Sequence, residues 1–376
     1  MPRILFVNIA GVIGGAETSL LLIVKHLRSR FSMSVACPGE SPLSAAVSSM
    51  QTEHHRLPNI PTHAYSSLRG IAYWLKTTCC MIRIVLRANP DIIHANTFYA
   101  GTVSLLAAIV MRKKLILHGR DLANFGRFTK LYNRFCRKVI AVSHAVRNAL
   151  VDQGVSSDKV EVIYNGVDKC SLDRSEGNRT LFIPQNTDES SPFVFAHVGQ
   201  FVPWKNHIVF LRAASHVARD LPEARFVVVG DDTSGRDSAY KCSVLNYAAN
   251  SVIAERVSFL GWQDKMCEVW PKINCLVHTA DREPFGRVIV EAMAHRVPVI
   301  AVGTCGPSEI IQNNKTGILV QVDDVKGLSE AMVRIARHRE FADALANAGY
   351  EHVMSRFTAD KTAARIQEVY KEVLAM

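Results

Sequence analysis

The stretch DREPFGRVIVEAM, residues 281–293, sets two carboxylates, Glu283 and Glu291, eight positions apart around Phe285, Gly286 and Arg287. A carboxylate accepts hydrogen bonds from paired hydroxyls, as it does on a nucleotide ribose, and the amides at a helix start accept phosphate. Pro284 suits a position just ahead of a first turn, and Gly286 lets the backbone approach a ligand. Read this way, the N–H groups of Phe285, Gly286 and Arg287 form an anion site. Glu283 and Glu291 flank it, one for a ribose and one for a second sugar. A structural account of the same residues competes: Glu283 enriching a helix N-terminus, Glu291 pairing with Arg287 at i, i+4.

Other residues offer chemistry at strand ends. In HVGQFVPWKNH (197–207) Lys205 is a cation suited to a diphosphate, or else a solvated surface lysine. GVIGGAE (11–17) brings Gly14 and Gly15 against a helix start without forming G-x-G-x-x-G. Its Glu17 reads equally as a first-turn acid. His118 in LILHGRD is expected as a loop residue facing a cleft, with a structural histidine as the alternative, and His94 in DIIHANT is read as structural. Arg120 and Asp121 beside His118 could pair with each other. In GTCGPSEI (303–310), two glycines, a proline and Glu309 are expected between a strand and a short helix. Asp231 and Asp232 lack a third ligand at useful spacing, so a turn is expected there and no metal.

These residues need elements to position them. Continuous β-branched runs at 4–10, 34–38, 91–96, 114–119, 138–143 and 160–166, and again at 194–200, 225–231, 257–261, 275–279, 298–302 and 317–321, read as strands covered on both faces. Helical patterns such as AETSLLLIVKHLRS lie between them. The alternation predicts two Rossmann-like doubly wound parallel-sheet domains facing a cleft, and 376 residues suit two cores better than one. The boundary is expected in 169–192, where periodicity vanishes. That gives an N-terminal domain over 1–180, a C-terminal domain over 181–357 and a last helix over 358–376.

Composition narrows the classes. Nine scattered cysteines with no C-x-x-C pair point to free thiols in a reducing cytosol. The apolar N-terminus is broken by glycines and Glu17, which argues against a signal peptide, and no run reaches membrane-spanning length. Of the net charge of +10, residues 1–180 carry the whole excess, with 23 Lys+Arg against 11 Asp+Glu. Two basic amphipathic stretches lie in that half. One, 67–90, holds Arg69, Lys76, Arg83 and Arg87; the other, 123–139, holds Arg127, Lys130, Arg134, Arg137 and Lys138. Each either buries one face against the core or rests on an anionic bilayer. An anionic or lipid-carried acceptor at the cytoplasmic membrane face is the expectation, and nucleic acid is not, since no binding motif accompanies the charge.

Taken together, GGAE at 14–17, HG at 118–119, VSHA at 142–145, NGVD at 165–168, VGQ with WKN at 198–206, EPFGRVIVEAMAHRVPVIA at 283–301 and GPSEI at 306–310 resemble the GT-B retaining glycosyltransferases of family 4 over nearly the whole chain. The resemblance implies transfer of a sugar from a nucleoside diphosphate donor, UDP-sugar ahead of GDP-sugar, to a saccharide or lipid-linked acceptor, with retention and without metal or other cofactor. It implies that Glu291 holds the ribose and Glu283 the donor sugar. The amides of Phe285 to Arg287, with Lys205, hold the diphosphate, while His118, Gly14 and Gly15 close the site. Catalytic roles fall to His118, Lys205 and Glu283. The last helix is implied to cross back onto the first domain. Two departures stand out: Gln200 replaces the family's arginine, with Arg287 as the candidate substitute, and Asn206 replaces a glycine. A non-catalytic nucleotide-sugar-binding module, or a phosphorylase or epimerase relative, is the alternative.

Overall fold

A computed structural model shows the fold and describes residues 1–59, 68–126, 128–168, 192–233 and 235–376. The expected boundary segment lies, but for residue 192, outside the described residues. The chain forms two compact units, Met1–Asp168 with Ala359–Met376, and Lys169–Thr358.

The first unit holds strands β1 (Arg3–Val7), β2 (Ser32–Pro38), β3 (Glu53–Leu57), β4 (Ile92–Ala95), β5 (Lys114–Gly119), β6 (Cys136–Ala141) and β7 (Val160–Val162). They form one parallel sheet in the order β3-β2-β1-β4-β5-β6-β7. The second holds β8 (Val194–Val198), β9 (Arg225–Val229), β10 (Val257–Gly261), β11 (Cys275–His278), β12 (Val299–Val302) and β13 (Ile318–Val320), all parallel, in the order β10-β9-β8-β11-β12-β13. Every strand but β3 falls on one of the expected apolar runs. Strand β3, EHHRL, was hidden because it is a sheet edge with only Leu57 buried. An edge strand has one partner and needs no continuous apolar run.

Helices cover the sheets because their apolar stripes match the sheet faces. In the first unit, the helix Gly15–Leu27 buries Leu20, Ile23, Val24 and Leu27, and the helix Ala359–Ala375 buries Ile366, Val369, Tyr370 and Val373 in the same core as Phe6, Val35 and Ile116. In the second, the helix His207–Asp220 buries Phe210, Leu211 and Val217 against Phe195, Phe226 and Val277.

The basic stretches resolve into different elements. Residues 68–88 are one helix with Met81, Ile84 and Val85 buried and Ile71, Leu75 and Leu86 exposed. The second stretch is only partly helical, over Phe128–Phe135. Arg137 and Lys138 stand instead on β6, where Lys138 pairs with Glu372 at 2.8 Å. Arg127 lies outside the described residues. Among the described residues no helix is long and apolar enough to cross a membrane.

Candidate functional site

In an open parallel sheet, ligands bind beyond the carboxyl ends of the strands, where the strand order reverses. The second sheet reverses between β8 and β11. The turn after β8 carries Lys205 and the loop after β11 carries Glu283, so topology alone brings two residues 78 positions apart to one place.

Lys205 ends the short 3-10 turn Pro203–Lys205 and is buried rather than solvated, with 9% of its surface exposed. Its backbone is clamped: His197 Nε2–H donates to the Lys205 carbonyl at 3.1 Å, and the Thr279 hydroxyl donates to it at 2.9 Å. The next residue, Asn206, takes φ +53°, ψ +45°. That left-handed conformation is natural for glycine and open to asparagine among few others, which accounts for the departure noted above. The Lys205 ammonium lies 4.5 Å from the centre of the Trp204 ring and forms an ion pair with Glu283 Oε2.

Glu283 is buried to 8% exposure. His278, the last residue of β11, donates from Nε2 to the same Oε2 at 3.1 Å. Among the described residues Oε1 takes no hydrogen bond, so one carboxylate oxygen is anchored and the other is available. Burial pushes the Glu283 carboxyl up, but the Lys205 charge and the His278 hydrogen bond outweigh it and hold the group at about 2. Burial lowers His278, which keeps it neutral at pH 7.

The helix Arg287–Ala294 begins at Gly286, whose φ of +104° a side chain would strain. Behind it, a Cβ on Gly306 would lie 2.3 Å from the Phe285 carbonyl, so the backbones meet only because residue 306 has no side chain. Residues 305–310 are themselves the helix expected to follow that segment. Phe285 is buried. One turn into the helix, Arg287 Nη2 donates to Glu291 Oε1 at 2.9 Å, the i, i+4 pair of the structural account. Both are part-buried, with 12% and 24% of their side chains exposed. Gln200 donates from Nε2 to Thr233 Oγ1 at 3.0 Å. Asp231 is paired with Lys241, and among the described residues no group of three or more His, Cys, Asp or Glu could hold a metal ion.

Gly14, Gly15 and His118 belong to the other unit, whose sheet reverses between β1 and β4. Glu17 serves the local fold: Oε2 accepts from Gly14 N–H and Oε1 from Asn8 Nδ2, each at 3.0 Å, the first of these capping the start of Gly15–Leu27 with the one half of a capping box that a glycine N-cap allows. His118 is not a loop residue as expected; it is the penultimate residue of β5 and 1% exposed. Arg120 donates to the Asn96 carbonyl and side chain and to Asn165 Oδ1 at 2.8–3.2 Å.

Sequence reasoning missed His278, Thr279 and His197, the residues that hold Lys205 and Glu283. The signal available was His278 itself, five residues before a carboxylate that had to be anchored if it was to be buried.

Two family models match, "Glycosyltransferase Family 4" over residues 13–169 and "Glycosyl transferases group 1" over residues 178–352. The chain is 26% identical over 333 residues to the N-acetyl-alpha-D-glucosaminyl L-malate synthase of Bacillus anthracis, covering 84% of this chain and 85% of that one. It is 21% identical to the UDP-Gal:alpha-D-GlcNAc-diphosphoundecaprenol alpha-1,3-galactosyltransferase of Escherichia coli, covering 80% of each. Among solved structures, Anabaena HepE in complex with UDP and glucose matches with a TM-score of 0.85 at 26% identity, over 99% of this chain and 100% of that one.

Proposed function

Since the chain belongs to the GT-B glycosyltransferases of family 4 and transfers a sugar in glycan synthesis, we propose that its donor is a nucleoside diphosphate sugar, UDP first and GDP next, and that the anomeric configuration is retained. The observation that carries this reading is the buried Lys205–Glu283 pair beside the Gly286-started helix. It supports a donor site in which a cation, a run of amides and a half-anchored carboxylate meet one diphosphate sugar. HepE, bound to UDP-glucose in another crystal at 25% identity, supports UDP as the first choice.

The roles follow from chemistry. Departure of the nucleoside diphosphate builds negative charge on phosphate oxygens. The amides of Phe285, Gly286 and Arg287, with the Lys205 ammonium, offset that charge with little reorganisation, because Lys205 is fixed before the ligand arrives. Glu283 Oε1 accepts from donor-sugar hydroxyls, and Glu291, steered by Arg287, accepts from the ribose. Arg287 supplies the positive charge that Gln200 does not. The acceptor hydroxyl attacks on the side the leaving group departs from and gives its proton to the departing phosphate, so no protein nucleophile and no metal is required.

The acceptor is a saccharide or a lipid-linked saccharide. The first unit's positive charge, with Ile71, Leu75 and Leu86 exposed on a basic helix, supports work on a lipid-linked acceptor at the cytoplasmic face of an anionic membrane. A thermal-shift panel of UDP-, GDP- and ADP-sugars tests the donor, with UDP-sugars expected to give the largest shift. The same shift with all three would overturn the base preference, and an inverted product anomer would overturn retention. Flotation with anionic liposomes at low salt tests the membrane, absence of binding counting against it.

A further inference from the structure

Three side chains from three distant parts of the first unit form a line of hydrogen bonds. Tyr370, on the helix Ala359–Ala375, has its hydroxyl 2.6 Å from His94 Nδ1; His94 Nε2 lies 3.1 Å from His118 Nδ1. Arg120 Nη2 lies 3.3 Å from that same His118 nitrogen. All three ring side chains are buried, Phe6 stacks on the His94 ring at 4.4 Å, and His118 Nε2 is buried with no hydrogen-bond partner among the described residues.

The chemistry of the donors fixes where the protons are. A guanidinium has only donors, so His118 Nδ1, which faces Arg120, must be the acceptor. His94 Nε2, facing the same atom, must then carry a proton and donate. His94 Nδ1 is left as an acceptor, and the Tyr370 hydroxyl fills it. Reversing the chain would set Arg120 against an N–H and bury the tyrosine proton without an acceptor, and a buried polar group left unsatisfied costs its full desolvation. Burial, with Arg120 close by, holds both histidines neutral: His94 is lowered to about 3 and His118 well below its ordinary value.

We infer that His118 acts only as a hydrogen-bond donor through Nε2–H, and that Tyr370 and His94 are positioning residues that hold it in that tautomer. The one unmatched group in the line is therefore an N–H, complementary to a hydroxyl or phosphate oxygen and unable to serve as a base. That the oxygen belongs to the donor or acceptor of the transfer rests on the reading above; the tautomer does not.

The tautomer is read directly from long-range ¹H–¹⁵N spectra of the full chain labelled at histidine, between pH 6 and 8. His118 and His94 are both expected as neutral Nε2–H forms. In Tyr370→Phe, the His94 Nδ1 resonance should move toward that of a nitrogen accepting no hydrogen bond, with the signals of His197 and His207 unmoved. A His118 that carries its proton on Nδ1, or is charged in that range, overturns the inference. Release of UDP from UDP-glucose gives the functional arm. His118→Gln, whose amide N–H can stand near Nε2, should keep kcat within about tenfold, and His118→Leu should lose about a hundredfold, the usual effect of removing one fixed donor. Equal losses in the two variants would show a packing role and overturn the donor role. If the unaltered protein releases no UDP and binds no UDP-glucose, the donor reading fails and the spectra still decide the tautomer.

Discussion

Each unit opens a helix after a strand with a glycine-containing loop and a glutamate, yet the two glutamates have opposite fates. Glu17 turns back onto its own helix start, and both of its oxygens are consumed by Gly14 N–H and Asn8. Glu283 instead meets Lys205, from the turn after the neighbouring strand β8, and His278, from the end of its own strand β11, which share a single oxygen. The difference is in what surrounds them. Around Glu17 lie neutral donors, which satisfy a carboxylate without leaving anything over. Around Glu283 lies a buried cation, which makes a charged, half-satisfied carboxylate tolerable in the interior. A spare oxygen next to a positive charge is what a binding site needs, and a fully satisfied carboxylate over the first N–H groups is what a helix start needs.

The largest test of that contrast is Lys205→Met. It leaves Glu283 buried without its counter-charge, and should cost about 3–5 kcal/mol of stability. It should also abolish turnover of a UDP-sugar. Denaturant unfolding with a donor-turnover assay checks both. A loss of activity without loss of stability would mean that the pair is not the structural anchor described here.

Acid separates the two sites next. Glu283 is held at about 2, below its ordinary 4.5, by the Lys205 charge against the opposing effect of burial. A depressed folded value means that the unfolded chain binds the proton first. The pair's stabilisation is therefore complete above about pH 4.5 and is lost as pH falls toward 2. Unfolding measured from pH 6 to 3 should steepen below 4.5 in the unaltered chain, and that component should vanish in Lys205→Met.

Arg287→Leu is a smaller change within the second site. It removes the partner of Glu291 and the charge proposed to stand in for Gln200. Donor affinity should fall about tenfold, the value of roughly one charge-assisted hydrogen bond. Calorimetry with UDP checks this; unchanged affinity and turnover would mean that Arg287 does not compensate for Gln200.

How far the sequence reveals these sites follows from the same contrast. The spacing of Glu283 and Glu291 survives folding because both lie on one loop and the helix that follows it. The twelve apolar runs mark strands because burial on both faces demands them. Strand β3 escapes that signal because its faces are half exposed. The line from Tyr370 through His94 to His118 was illegible because its members lie on β4, β5 and a helix 252 residues beyond His118. His118 was expected in a loop because it stands at the end of an apolar run, yet that run, 114–119, is β5 to its last residue and His118 belongs to it. Lys205 was open to a solvated reading because nothing local reveals a carboxylate 78 residues away.

Glu17→Gln is the smallest change and the sharpest for the comparison. The amide keeps one oxygen to accept from Gly14 N–H, but its nitrogen cannot accept from Asn8, so one hydrogen bond of two is lost. A cap weakened in this way costs about 1 kcal/mol, a few degrees in thermal unfolding. The added stabilisation on saturation with a UDP-sugar should be the same in the variant as in the unaltered chain, because that increment depends only on ligand concentration and affinity. If the increment instead shrinks, Glu17 touches the ligand and the two glutamates are more alike than their hydrogen bonds indicate. A lower melting temperature with an unchanged ligand increment leaves Glu17 to the helix start alone.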